Sequence, residues 1–310
     1  MTQDRLIITD VAPRDGLQNQ RVSVPTEAKL ELIRLLHAAG VASIEATSFV
    51  SPKAVPQMAD AAELMAQVHR LLPALRASAL VPNQKGLERA HAAGVREVAV
   101  VLSATETMNL KNINMDLARA TTVCEQTLRA AGQLGLRTRA YVAVAFDCPF
   151  EGPTALDTVV QLALRMEQAG AQEIVIADTI GSASPGMVKT HFDVLGQALP
   201  VHKLAAHFHD TRGMATANAW AAIQAGVRRF DASAGGIGGC PFAPGAAGNA
   251  ATEDLVLMAE RSGLATDISL PGLLRAVAYA ESRLGRELGG RSSAWLRRQY
   301  ADRDHATAAT

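Results

Sequence analysis

"HAAGVASIEA" at residues 37–46 and "HAAGVREVAV" at 91–100 are one phrase written twice, and "EQAGAQEIVI" (167–176) and "IQAGVRRFDA" (223–232) repeat it with small changes. In each, an alanine-rich stretch closes on a glycine, two or three residues follow, and an apolar run begins. Glycine just past a helix end takes the left-handed conformation that stops the helix. The phrase therefore reads as helix, C′ glycine, short loop, strand. Four copies at wide intervals predict a chain built from βα units.

Working outward, the same reading fills the gaps. Strands are expected near 6–12, 43–48, 76–82, 97–104, 137–146, 172–179, 203–210 and 228–234. Amphipathic helices are expected at 26–39, 58–72, 84–93, 114–134, 154–169, 185–198, 213–225 and 249–263. Runs such as "EVAVVLSA" and "EIVIAD" are almost continuously apolar, as in parallel strands buried on both faces. Eight strands, each followed by a helix, most simply close into an α/β (β/α)8 TIM barrel. An open doubly wound sheet is the alternative, but no strand runs straight into G-x-G-x-x-G or a Walker A loop. No linker interrupts residues 5–285, so a barrel over 1–285 and a helical or frayed tail over 286–310 are expected.

Composition narrows the class. Lys plus Arg and Asp plus Glu both number 30, and aromatics make up 4%. Neither a basic surface nor stacking aromatics are on offer, so no nucleic-acid partner is expected. No apolar run reaches the roughly 18 residues of a membrane span, and the first residues, "MTQDRLIITD", are not a signal peptide. Three cysteines, Cys124, Cys148 and Cys240, form no CxxC pair and no disulfide framework. A reduced, cytoplasmic protein is the expectation.

In such barrels chemistry sits at the C-terminal ends of the strands, and that is where the polar residues fall. The first strand ends in "APRDGLQNQ" with Arg14, Asp15 and Gln18, the second in "IEATSF" with Glu45 and Ser48. The fourth leads to "SATETMNLKNIN" with Lys111 and Asn112. The fifth carries Arg139 and Tyr141, two apart, and the sixth ends at Asp178. The seventh ends in "HFHD". Side chains alternate along a strand, so His207 and His209 share a face roughly 6–7 Å apart, a span that a metal ion can bridge. The eighth runs into "AGGIGGCPFAPGAAGNAATED" with Cys240, Asn249 and Glu253.

Each residue has an ordinary reading as well. Arg14 and Asp15 could be a local ion pair, Glu45 a helix cap, Asp178 a turn residue and Cys240 a small buried apolar group. Asn249 with Glu253 has the look of an N-cap and first-turn acid. Taken together, one carboxylate (Asp15), two imidazoles (His207, His209) and one amide oxygen (Asn249) make a mixed oxygen and nitrogen set. Such a set favours Mg²⁺ or Mn²⁺, with Zn²⁺ possible. A cation held this way can chelate and acidify a substrate hydroxyl. A neighbouring arginine can stabilise an enolate, and a cysteine on a glycine-rich loop can trade a proton. These parts suit making or breaking a carbon–carbon bond through an enolate.

The stretches "VAPRDGLQNQ", "IEATSFVSPKAVPQMAD", "KNIN", "CPFEG", "ADTIG", "HFHDTRG" and "GGIGGCPFAPGAAGNAATEDLV" resemble the 3-hydroxy-3-methylglutaryl-CoA (HMG-CoA) lyase family, in order from about Ile8 to about Glu260. The resemblance implies retro-Claisen cleavage to acetyl-CoA and acetoacetate. It implies Asp15, His207, His209 and Asn249 as metal ligands, Arg14 at the thioester carbonyl, and Cys240 as proton donor to the enolate. It further implies Glu45, Asp178, Gln18 and Glu253 as positioning groups, and CoA lying near Lys111, Asn112 and the "SFVSPK" loop. Arg139 and Ser48 join Gln18 as candidate substrate contacts. A homodimer is the expected assembly. Departures are Ala12 for glycine, Gln20 for glutamate, Arg212 and Met214 for tyrosine and glutamine, and Pro244 and Ala247 for polar residues. They touch no presumed ligand, and bear on which acyl group is accepted. Condensing relatives share Arg-Asp and His-x-His but lack the cysteine loop.

Overall fold

A computed structural model describes residues 4–239 and 248–308. Eight strands stand where the repeated phrase and its relatives put them: β1 Ile7–Asp10, β2 Ser43–Ser48, β3 Arg76–Leu80, β4 Glu97–Ser103, β5 Arg137–Ala143, β6 Glu173–Asp178, β7 Leu204–Phe208 and β8 Arg229–Ala232. They pair in parallel in chain order, and β8 returns to β1 to close a barrel. The (β/α)8 architecture is thus the fold of the chain. Gly40, in the first copy of the phrase, takes φ 100 as its C′ place demands; an added Cβ would also strike the Asp267 carbonyl at 2.2 Å.

The helices are α1 Thr26–Ala38, α2 Ala61–Leu71, α3 Gln84–Ala92, α4 Glu106–Ile113, α5 Leu117–Gln133, α6 Leu156–Gln168, α7 Pro185–Ala198, α8 Ala215–Gln224, α9 Thr252–Arg261, α10 Leu270–Leu284 and α11 Ser293–Ala308. Several start on side-chain caps: Asp116 accepts from Arg119 N at 2.6 Å, and Ser184, followed by Pro185, accepts from Met187 N. Among the described residues no helix is long and apolar enough to cross a membrane.

Two apolar layers result. The larger lies between the strands and the helices that ring them, with Leu32, Ile33, Leu64, Leu128, Phe192 and Leu255 among its members. The smaller fills the barrel itself: Ala99, Tyr141, Val175 and Ala205. Two of these are alanines, and that leaves the barrel interior room for large polar side chains. Arg139 is 1% exposed there, and Asp231 and Glu45 are buried with it.

The structure departs from the sequence reading at four places. β1 stops at Asp10, because residues 12–16 turn into a single π-helical turn. β5 stops at Ala143, because Val144 takes φ 48 and its N–H goes to Thr179 Oγ1. A short antiparallel ladder then pairs 147–148 with 152–153. "ETMNLKNI", read as loop, is the extra helix α4. A further helix, α10, follows the last barrel helix α9 and packs on α1, ahead of α11 in the stretch read as a helical or frayed tail.

Candidate active site

The π-turn after β1 presents the site's first two residues. Pro13 has no N–H to satisfy in the opening turn, and Gly16 N reaches back to Val11 O at 3.1 Å. Asp10 anchors the turn. It accepts from Ala12 N at 2.9 Å, Ala234 N at 3.0 Å and Thr252 Oγ1 at 2.7 Å, which ties the ends of β1 and β8 to the start of α9. Arg14 and Asp15 are thereby fixed over the C-terminal end of the barrel.

Asp15, His207 and His209 each offer a ligand atom, all within 4.8 Å of one another. The two imidazole centroids are 5.2 Å apart. His209 lies one residue past β7, where a bridge to Asn249 takes over from the strand. Asp210 N bonds to Gly248 O at 3.0 Å and Ala250 N to Phe208 O at 2.8 Å, so residues 248–250 run beside the end of β7. Close approach makes Gly248 necessary: a Cβ there would sit 1.9 Å from the Gly236 carbonyl oxygen. Asn249 is not the helix cap that its sequence suggested, since α9 begins after Ala251 with no side-chain cap. Its Nδ2 donates to Asp15 Oδ2 and Ile237 O, both at 3.0 Å.

Asn249 Oδ1 and His209 Nδ1 are buried without a protein partner. Buried polar atoms are rarely left so. Unpartnered amide oxygen and imidazole nitrogen atoms on residues grouped with a carboxylate are a donor set for a hard or borderline cation, and the residues present fit one.

Arg14 links this cluster to the barrel interior. Its Nη1 donates to Asp15 Oδ1 at 2.6 Å and its Nε to Glu45 Oε2 at 2.6 Å, with Nη2 in ion-pair contact with the same oxygen at 2.5 Å. Beneath it, Asp231 accepts from Arg139 Nη2 at 2.6 Å and Tyr141 Oη at 2.6 Å, and faces His207 Nδ1 at 3.3 Å. Arg139 Nε also holds Glu173 at 2.7 Å. Burial alone would lift the Asp15 carboxyl, but Arg14 and the two histidines outweigh it and hold it below the usual range. Burial pushes His209 down to about 4, helped by His207. His207 goes the other way: burial is outweighed by Asp231, which raises it. Burial raises Glu45 although Arg14 opposes.

The other expected residues are distributed as follows. Gln18 Nε2 donates to Asp15 Oδ1 at 3.0 Å, and Ser48 Oγ is buried without a partner. Asp178 is occupied by its own turn, accepting from Ser182 N at 2.9 Å and Ala183 N at 3.0 Å. Arg139 lies inside the barrel with its guanidinium on Asp231 and Glu173, not at the mouth. Lys111 and Asn112 are exposed on α4, Lys111 with its Nζ 5.2 Å from the Phe150 ring centroid. Cys240 lies outside the described residues. Glu253 bonds Gly235 N at 3.0 Å and Gly290 N at 2.9 Å. Asp231 is absent from the sequence reading, and Tyr141 stands in it beside Arg139 without a role. An acid inside "RRFDA", at the position of an interior-facing strand residue, was the signal available for Asp231.

Comparison with known proteins agrees with this site. The family model described as HMGL-like matches residues 5–279. The chain is 42% identical over 288 residues to the hydroxymethylglutaryl-CoA lyase YngG of Bacillus subtilis, covering 93% of this chain and 96% of that one. A crystal structure of the Bacillus subtilis HMG-CoA lyase superposes with a TM-score of 0.91 at 41% identity, over 96% of this chain and 100% of that one. The HMG-CoA lyase of Acinetobacter baumannii, solved with coenzyme A and 3-methylmalate, gives 0.89 at 39% identity, over 94% and 95%. With its barrel, its strand-end cluster and these likenesses over nearly its whole length, the chain belongs to the HMGL-like family.

Proposed function

We propose that the chain cleaves 3-hydroxy-3-methylglutaryl-CoA to acetyl-CoA and acetoacetate, using a divalent cation, Mg²⁺ or Mn²⁺, held by Asp15, His207, His209 and Asn249. The observation that carries this reading is Arg14, clamped by Asp15 on one side and Glu45 on the other beside the ligand cluster. A guanidinium has five N–H groups. Two donate here, from Nε to Glu45 and from Nη1 to Asp15, and the others are left for an oxyanion at a charge that burial cannot neutralise.

In the reaction the C2–C3 bond of the substrate breaks. The C3 hydroxyl passes its proton to a base at the cluster, Asp15 or a water beside His207, and becomes the ketone of acetoacetate, while the electron pair of the broken bond passes to C2 as the enolate of acetyl-CoA. The cation, when bound, supplies Lewis-acid stabilisation to the hydroxyl and carboxylate oxygens of the substrate. Arg14 donates to the thioester oxygen as charge builds there, with its position fixed before substrate arrives. Glu45 and Gln18 hold Arg14 and Asp15 in register. Protonation at C2 completes acetyl-CoA, and Cys240 is the proposed donor. Lys111 and Asn112 are the proposed contacts for CoA, and Ser48, with its free buried hydroxyl, for the acyl group. Residues 1–285 are read as the catalytic barrel and 286–310 as a helical or frayed tail, and the chain is proposed to work as a homodimer in the cytoplasm.

Arg212 and Met214, both exposed just past the histidines, are the positions at which substrate choice is most open. The test is a panel of thioesters: HMG-CoA, citramalyl-CoA and a longer 3-hydroxy-3-alkylglutaryl-CoA, with both products followed by mass spectrometry. Acetyl-CoA and acetoacetate in equal amounts, fastest from HMG-CoA, is the expected result. A preference for either other thioester would overturn the assignment of substrate while keeping the reaction.

A further inference from the structure

We propose that Asp231 is a positioning residue for the metal site: it holds the proton of His207 on Nδ1 and so leaves Nε2 free to take the cation. The inference rests on the reading of His207 as a ligand.

Asp231 and His207 are partners in register across β8 and β7. Asp231 is 2% exposed and receives a guanidinium N–H and a phenol O–H at 2.6 Å each. A carboxylate so placed, beside a buried arginine, can only accept. Whatever faces its Oδ2 from His207 must then be an N–H, and the atom that faces it is Nδ1 at 3.3 Å. In the neutral ring that a metal ligand must be, Nε2 then carries the lone pair. Tyr141 contributes twice. Its hydroxyl shares Oδ2, and its ring stands edge-on to the His207 ring, centroids 6.1 Å apart at 82°, which opposes rotation of the imidazole. Arg139 secures the acid from beneath, and Glu173 on the neighbouring strand secures Arg139. The charged column in the barrel thus ends on the ligand it orients, as carboxylate partners of metal-binding histidines do elsewhere.

Two measurements test this. In the Mg²⁺-loaded protein, ¹H–¹⁵N correlations of the His207 ring, assigned by their loss in His207→Gln, are expected to place the proton on Nδ1. A proton on Nε2, or on both nitrogens, overturns the inference without any change at Asp231. In Asp231→Asn, Mn²⁺ affinity read by electron paramagnetic resonance is expected to fall about 10–100-fold. Tyr141→Phe, which removes a hydrogen bond to the same carboxylate but keeps the acceptor for His207, is expected to bind Mn²⁺ nearly as the parent does. Equal affinity in Asp231→Asn and the parent overturns the positioning role. Absence of Mn²⁺ binding by the parent overturns the ligand reading itself, so the two failures are distinct.

Discussion

Arg14 is the residue on which charge and position are most tightly combined. It bridges two carboxylates that would otherwise repel, and the burial of Arg14 and Glu45, with Asp15 half-buried, makes the geometry costly to vary. Arg14→Lys keeps the charge but has no planar fork to span Asp15 and Glu45 together. We expect kcat to fall by roughly 10²–10³-fold, as for loss of an oxyanion donor, while Mn²⁺ affinity holds; unchanged kcat would remove Arg14 from the reaction. The sequence showed Arg14, Asp15, His207 and His209 because each stands next to a strand end in a polar cluster. It could not show what each one touches. Asp178 reads the same way in sequence, yet its oxygens are filled by the amides of its own loop. Arg139 reads as a candidate substrate contact on the fifth strand and lies inside the barrel, because the small side chains of Ala99 and Ala205 open space that only the three-dimensional register reveals.

At the scale of elements, α9 ties the site to the end of the chain. Glu253 accepts from Gly235 N, Gly290 N and Ser293 Oγ, and Asp254 from Arg291 N and Ser292 N. The segment before α11 is therefore laced beneath the loop that follows β8. Glu253→Ala would leave buried amides unpaired, at about 1–3 kcal/mol for each group. We expect lower unfolding free energy in urea and faster hydrogen exchange over 288–296. Loss of stability with unchanged exchange there would mean the strap is not what Glu253 holds. The helix–glycine–strand units were legible because a buried parallel strand and an amphipathic helix each impose a period on the sequence. The π-turn and α4 were not. A proline and a glycine three residues apart read as loop, and α4 has no side-chain cap to announce it.

Across the whole molecule, Asp10 joins three elements at full burial, and burial pushes its carboxyl up to about 7 against the hydrogen bonds from Thr252, Ala12 and Ala234. Its ordinary value, as in the unfolded chain, is about 3.9. A raised acid favours the folded state where it is protonated. Its contribution is complete below the unfolded value, is lost as pH rises through that window to about 7, and is constant above. Asp10→Asn has no such titration. The stability of the parent relative to Asp10→Asn should therefore decline with rising pH, by at most about 1.4 kcal/mol per unit, and level off above neutrality. Denaturation midpoints measured across the window check it; a flat difference would mean Asp10 stays ionised throughout. The same three-way tie sets the mouth of the barrel, and there the central claim is that Asp15, His207, His209 and Asn249 hold the cation on which cleavage depends. The direct measurement is acetyl-CoA release from HMG-CoA by protein stripped with chelator, before and after Mg²⁺ or Mn²⁺ is restored. The account predicts no release when stripped, full release on restoration, and none in His209→Ala at the same cation concentration. Release that persists in the stripped protein would contradict it.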